Sequence, residues 1–186
     1  MKILSLSACL ALGFALHASA QVPIGVGAIK VGKIKPEIVK TPDFTIKSGP
    51  EKRSKVGDWL EVEVEFETKA EEIDEITFLY TILIEGKLLD GQVTHVSIPK
   101  GREHYSVMYV SPRTLEKLNG GKPVTISNVQ NVWVTVSKQG QILDREAVKK
   151  VEPPNLPHLT GMVLNKMETP FAPLYFDRYE AIRTAK

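Results

Sequence analysis

Residues 59–68 read Trp59-Leu60-Glu61-Val62-Glu63-Val64-Glu65-Phe66-Glu67-Thr68. Leu60, Val62, Val64 and Phe66 fall on one parity, and Glu61, Glu63, Glu65 and Glu67 on the other. Side chains in a strand alternate between faces, so this stretch is one β-strand with an apolar face and a charged face. A single apolar row needs a second layer to bury it, which points to a β-sandwich.

The flanking sequence supplies the other strands. Residues 75–85 (EITFLYTILIE) are apolar on both parities, with Ile76, Phe78, Tyr80, Ile82 and Ile84 against Leu79 and Leu83. A β-rich run of this kind is expected as a central strand, buried more fully than the others. Residues 70–74 read as a charged connection before it. Gly86, Asp90-Gly91 and Pro99-Lys100-Gly101 read as turns, separating strands at 93–98 and 103–110. In the latter, Tyr105, Val107 and Tyr109 form a row. Residues 128–137 and 142–149 form a hairpin across Lys138-Gln139-Gly140-Gln141. A first strand is expected around residues 37–47, in a basic stretch whose lysines suit the glutamate row; opposite charges across strands contribute about 0.2–1 kcal/mol a pair. Ser111-Pro112 and Asn119-Gly120 bracket one short helix, with Leu115 and Leu118 facing inward.

About seven strands at this turn spacing make the expected fold all-β, an immunoglobulin-like β-sandwich with one short helix and a C-terminal extension. The paired cysteines that flank a core tryptophan in antibody domains are absent. The expected organisation is a signal peptide over 1–20, a flexible arm over 21–36, the sandwich over 37–152, and a Pro- and aromatic-rich extension over 153–186 that packs on it. Pro153-Pro154-Asn155-Leu156-Pro157 ends the sandwich. The extension holds Phe171, Tyr175, Phe176 and Tyr179, too aromatic for a solvated tail.

The first twenty residues combine Lys2, an apolar run from Ile3 to Leu16, and Ala18-Ser19-Ala20, the pattern of a cleaved secretory leader. Leu6-Ser7-Ala8-Cys9 has the local look of a lipoprotein box, but too little chain precedes it and the apolar run continues past it. With Cys9 inside the leader, the exported chain has no disulfide, thiol nucleophile or cysteine-ligated metal. The expected location is therefore extracytoplasmic: periplasmic, associated with the outer membrane, or at the cell surface. In the arm, Val22, Ile24 and Val26 alternate with Pro23 and Gly25. Two readings stand for it, a loosely docked terminus and a strand donated to a neighbouring subunit.

VGDWLEVEVEFET (56–68), GREHYSVMYVSPRTLEKL (101–118) and NKMETPFAPLYFDRYEA (165–181) resemble a family of secreted immunoglobulin-like proteins associated with pilus-type secretion gene clusters of Verrucomicrobia. The resemblance covers most of the chain after the leader. It implies an extracytoplasmic role, associated with a pilus or the outer membrane, and brings no catalytic residue or ligand with it. The leader itself is not that of a type IV pilin, whose hydrophobic helix stays on the mature subunit.

Chemistry is sparse. His95 and Ser97 share a strand face, with Glu103 and His104 close by, but no nucleophile elbow or other catalytic motif surrounds them. No enzyme activity, metal or cofactor is expected. Alternate glutamates of one strand stand about 6.5–7 Å apart, too far to form a compact calcium cage, so the row reads as a solvated, lysine-paired face. A formal net charge of +2 from 24 Lys+Arg and 22 Asp+Glu gives no field for nucleic acid.

The tryptophans are the anomaly. Trp59 shares parity with Glu61 and Glu63, and Trp133 with Asn131 and Thr135, so both sit on otherwise polar faces. Either the arm or the extension folds over one of them, or they form an aromatic platform for a partner. The candidate partner-binding residues are thus Trp59, Trp133, Tyr175, Phe176 and Tyr179, with Val22, Ile24 and Val26 as a candidate donor strand. The expected function is a structural or protein-interaction module with a protein partner or self-association, peripheral to the outer membrane. The alternative is a glycan-binding or adhesin module.

Overall fold

The computed structural model of the protein describes residues 25, 27–44 and 56–184. The leader, Val22, Ile24 and Val26 lie outside the described residues. Seven strands, β1 (Ile29–Lys40), β2 (Asp58–Ile84), β3 (Lys87–Val110), β4 (Val129–Lys138), β5 (Gln141–Ala147), β6 (His158–Thr160) and β7 (Val163–Asn165), join in one sheet. The only α-helix among the described residues is α1 (Pro112–Leu118), between β3 and β4.

Both layers are halves of this one bent sheet. The first half of β2 pairs with β1 and with the second half of β3, whose far side carries β7. The second half of β2 pairs with the first half of β3 and with β4, which carries β5; β6 adds parallel to the start of β3. The β2–β3 register shifts between Phe66 and Thr68 and again between Thr68 and Glu72. Bulges of this kind bend a strand and let it pass from one layer to the other. Phe66 and Phe78, in the two halves of a single strand, then meet ring to ring at 4.9 Å. The layers close on their open side as well, where the Val31 N–H donates to Asp144 Oδ2 of β5 at 2.7 Å.

The all-β, seven-stranded sandwich with one helix is as expected, but the strands are divided differently. The stretches 59–68 and 75–85 are one strand, and the supposed connection at 70–74 is its bend. Likewise 93–98 and 103–110 belong to β3, and neither Asp90-Gly91 nor Pro99-Lys100-Gly101 ends it. The true turn is Glu85-Gly86, at φ 48° and 69°, the positive pair a two-residue hairpin of this twist requires. Gln139-Gly140 (φ 49° and 82°) repeats it in the expected β4–β5 hairpin. The first strand begins at Ile29 rather than near residue 37, so residues 29–36 are paired sheet and not free arm; Ile29 and Val31 are core residues.

Inside lie Leu60, Val62, Val64 and Phe66 against Phe78, Tyr80, Ile82 and Val134, all buried. Fully burying each aliphatic side chain of this size is worth about 1.5–3 kcal/mol. The opposite parity of the central strand is less covered than its composition suggests, with Leu79 39% exposed. The helix forms as read: Ser111 Oγ caps the Thr114 N–H, Pro112 opens the first turn, and Leu115 and Leu118 are buried.

Gly91 sits where Val163 enters the core. A Cβ there would fall 2.5 Å from the Val163 Cβ and 2.8 Å from its carbonyl oxygen. Gly91→Ala is expected to lower stability in urea unfolding by about 1–3 kcal/mol, the cost of overpacking a filled interior.

Candidate functional site

Beyond the prolines the chain returns to the sandwich and crosses its first layer. Asn165 caps a short 3-10 turn at 166–168; the Thr169 N–H and hydroxyl both donate to the Lys166 carbonyl, and the Ala172 N–H donates to the Thr169 carbonyl, which holds the chain in tight turns. These deliver Phe171 onto the outer face of β2 and β3. Phe171 stacks on Tyr109 at 4.5 Å and meets Trp59 edge-on at 5.7 Å. With Val107, these residues form a second, smaller core on the outer face. The row Tyr105, Val107 and Tyr109 therefore packs under the extension, while Ser106, Met108 and Val110 point inward.

Trp59 is thereby explained: it is only 8% exposed, and its indole N–H donates to Thr41 Oγ1 at 3.1 Å. It is a packing residue under Phe171, not an open platform, which corrects its place among the binding candidates. Trp133 differs. It stays half-buried on the outer face of the second layer, with its indole N–H donating to the Val151 carbonyl at 2.6 Å. It borders an open cleft of about 600 Å³ with Thr81, Thr135, Arg145 and Val151.

The glutamate row has several tasks. Glu63 accepts both Arg178 Nε (2.8 Å) and Nη2 (2.7 Å), and the Tyr179 hydroxyl at 2.9 Å. The Arg178 hydrogen bonds hold its carboxyl below the usual range, against the opposing effect of burial. The same guanidinium lies 3.9 Å from the centre of the Tyr105 ring. Glu61 accepts from the Tyr109 hydroxyl at 2.8 Å, yet burial still pushes its carboxyl up. Only part of the row is lysine-paired: Glu67 faces Lys30 at 4.0 Å, whereas Lys35 turns to Glu37 of its own strand at 2.8 Å. Because the Arg178 side chain is 42% exposed, Arg178→Ala is expected to cost only about 0.5–1 kcal/mol in urea unfolding.

Between these anchors the chain makes a turn at 175–178, closed by the Arg178 N–H on the Tyr175 carbonyl at 3.1 Å. Tyr175, at φ 52°, is 60% exposed and Phe176 is 83% exposed. Tyr179 is half-buried, 6.5 Å from Tyr175 in an edge-on contact. The structure thus unites Tyr175, Phe176 and Tyr179 in one aromatic turn, with Trp59 beneath it and Trp133 on the opposite layer. Behind the turn a cleft of about 520 Å³ opens between Leu174, Tyr179 and Glu61.

The last residues lock the segment down. The Val96 N–H donates to the Ala181 carbonyl, the Arg183 N–H to the Thr94 carbonyl and the Glu180 N–H to the Tyr105 carbonyl. Arg183 also pairs with Glu75. Beneath this strap His95 Nε2 meets Ser106 Oγ at 2.7 Å, and the Tyr80 hydroxyl donates to the same oxygen at 2.7 Å. The Glu180 carbonyl, 3.1 Å from His95 Nδ1, can only accept, so the neutral ring carries its proton on Nδ1 and Nε2 accepts from the Ser106 hydroxyl. His104 Nδ1 donates to the Glu180 carboxylate at 2.7 Å. His95 pairs with Ser106 rather than Ser97, and Ser106 is fully buried. This pair therefore ties the strap to the core. Nothing in the local sequence marked it, because the match of residue 95 to residue 106 exists only once β3 bends.

A protein-family model matches residues 21–186. The chain belongs to that family. The match spans the whole sandwich together with the extension that braces the aromatic turn. A crystal structure of a protein from Akkermansia muciniphila, a Verrucomicrobium, has the same fold. Its TM-score is 0.69 at 22% sequence identity, covering 85% of this chain and 94% of that one. No curated protein matches the chain.

Proposed function

We propose that the protein is a non-enzymatic interaction module of an extracytoplasmic, pilus- or secretion-like assembly, and that the 175–176 turn is where it meets a protein partner. The observation that carries this reading is Phe176, 83% exposed on a turn anchored on both sides. Phe171 is buried before it, and Arg178 is clamped to Glu63 after it. An apolar ring held outward by a fixed turn forgoes burial within its own chain. It also loses little conformational freedom on binding, which favours such aromatics as interface anchors. The leader pattern and the resemblance of its motifs support the extracytoplasmic setting.

Phe176→Ala is expected to leave unfolding stability within about 0.5 kcal/mol of wild type while abolishing capture of the partner in a crosslinking pull-down from native membranes. Equal capture by the variant would remove the turn from the interface. A glycan-binding reading rests on Trp133 in its open cleft. Glycan-array binding lost in Trp133→Ala, with Phe176→Ala unaffected, would support that reading instead.

A further inference from the structure

Building on that reading, we propose that the partner of the aromatic turn is a second copy of this chain, with Phe176 of one molecule seated in the Trp133 cleft of the next. The two surfaces belong to opposite outer faces of the sandwich. Arg178 bonds Glu63 and covers Tyr105, both outward on the first layer. Trp133 pairs with Thr81 and Ala147, and Thr135 with Arg145, which sets that cleft on the outer face of the second layer.

Shape and charge complement one another. The cleft of about 600 Å³ lies within the size range that accepts aromatic groups. Its rim offers unfilled apolar surface at Val151, 61% exposed. Asp177 follows Phe176 directly and is exposed; the charged groups lining the cleft are Arg145, Glu146, Lys150 and Glu152, of which Lys150 faces Glu146 at 4.0 Å, and exposed Arg145 is the counterpart of Asp177. Neither side chain makes an ion pair among the described residues. Seating the ring beside Trp133 brings the Asp177 carboxylate to the Arg145 rim, so one contact buries the ring and neutralises both charges. Because the two patches differ and face opposite ways, the contact is heterologous and propagates head to tail.

Sedimentation velocity over a concentration series tests this with the purified protein. Wild type is expected to grow in sedimentation coefficient with concentration, whereas Phe176→Ala and Arg145→Glu each stay monomeric with unchanged unfolding transitions. Mixing these two variants is expected to give a one-to-one dimer and nothing larger, since the pair retains one working turn and one working cleft. Asp177→Arg is expected to abolish assembly, and adding Arg145→Asp on the same chain to restore it. A wild type that stays monomeric at every concentration overturns the proposal, as do oligomers that survive Phe176→Ala or a mixture without dimer. If wild type is monomeric but the pull-down still depends on Phe176, self-assembly fails and the interaction module stands. If neither experiment responds to Phe176, both fail.

Discussion

Phe171→Ala is expected to cost about 3–5 kcal/mol, the range for removing a buried aromatic ring. The ring is 4% exposed and is shared by Trp59 and Tyr109, so its loss opens the outer core rather than a surface contact. The remaining anchors do not replace it, because the Arg178–Glu63 pair is partly exposed and worth much less. Three readouts should move together: the urea midpoint falls, Trp59 fluorescence shifts to the red, and limited proteolysis begins to cut within 170–178. A loss below about 1 kcal/mol would mean that the extension only rests on the sandwich, and the turn it carries would then lack a fixed base.

Acid is expected to unfold the protein earlier than its carboxylates alone would dictate. Burial pushes His95 from the ordinary 6.5 down to about 4. Below pH 6.5 the unfolded chain therefore takes up a proton that the folded chain refuses. Stability is full above about pH 6.5 and declines until about pH 4, by on the order of 3 kcal/mol at about 1.4 kcal/mol per unit. The groups around His95 are Ser106, the Glu180 carbonyl and Phe78, with the His104–Glu180 pair alongside; none offers His95 a carboxylate to hold a charge. Two glutamates act in opposite directions. Glu63, held low, adds to the loss as pH falls below the usual carboxylate value, and Glu61, held high, is relieved by acid. Urea midpoints measured from about pH 7.5, roughly one unit above the window, down to its lower edge at about pH 4 should show this slope in wild type and a flatter one in His95→Gln. Equal slopes would place the acid response elsewhere.

Much of this was legible in residues 59–68. Parity placed Leu60, Val62, Val64 and Phe66 in the core and showed that Trp59 was out of place, needing a cover. The aromatic density of 170–179 marked the segment that supplies it. Strand boundaries were less legible, because polar residues at 69–74 and Pro99-Lys100-Gly101 look like turns when they are in fact a two-strand bend. The absence of Gly and Pro from 68–74 was the available sign that the chain there remains extended. Gly32 and Pro36 argue against a strand interior, which hides the first half of β1 in the sequence. At a sheet edge with a bulge between Val31 and Ile34, both are tolerated. The His95–Ser106–Tyr80 network and the Glu63–Arg178 clamp depend on register across long separations, which no local pattern carries.

The most direct test of the aromatic turn is a photoreactive phenylalanine analogue placed at position 176 and activated in cells that make the protein. The same analogue at exposed Lys122 serves as control. The expected result is a discrete protein adduct from position 176, whether a second copy or another protein, and none from position 122. No adduct at position 176 above the control would contradict a binding role for the turn.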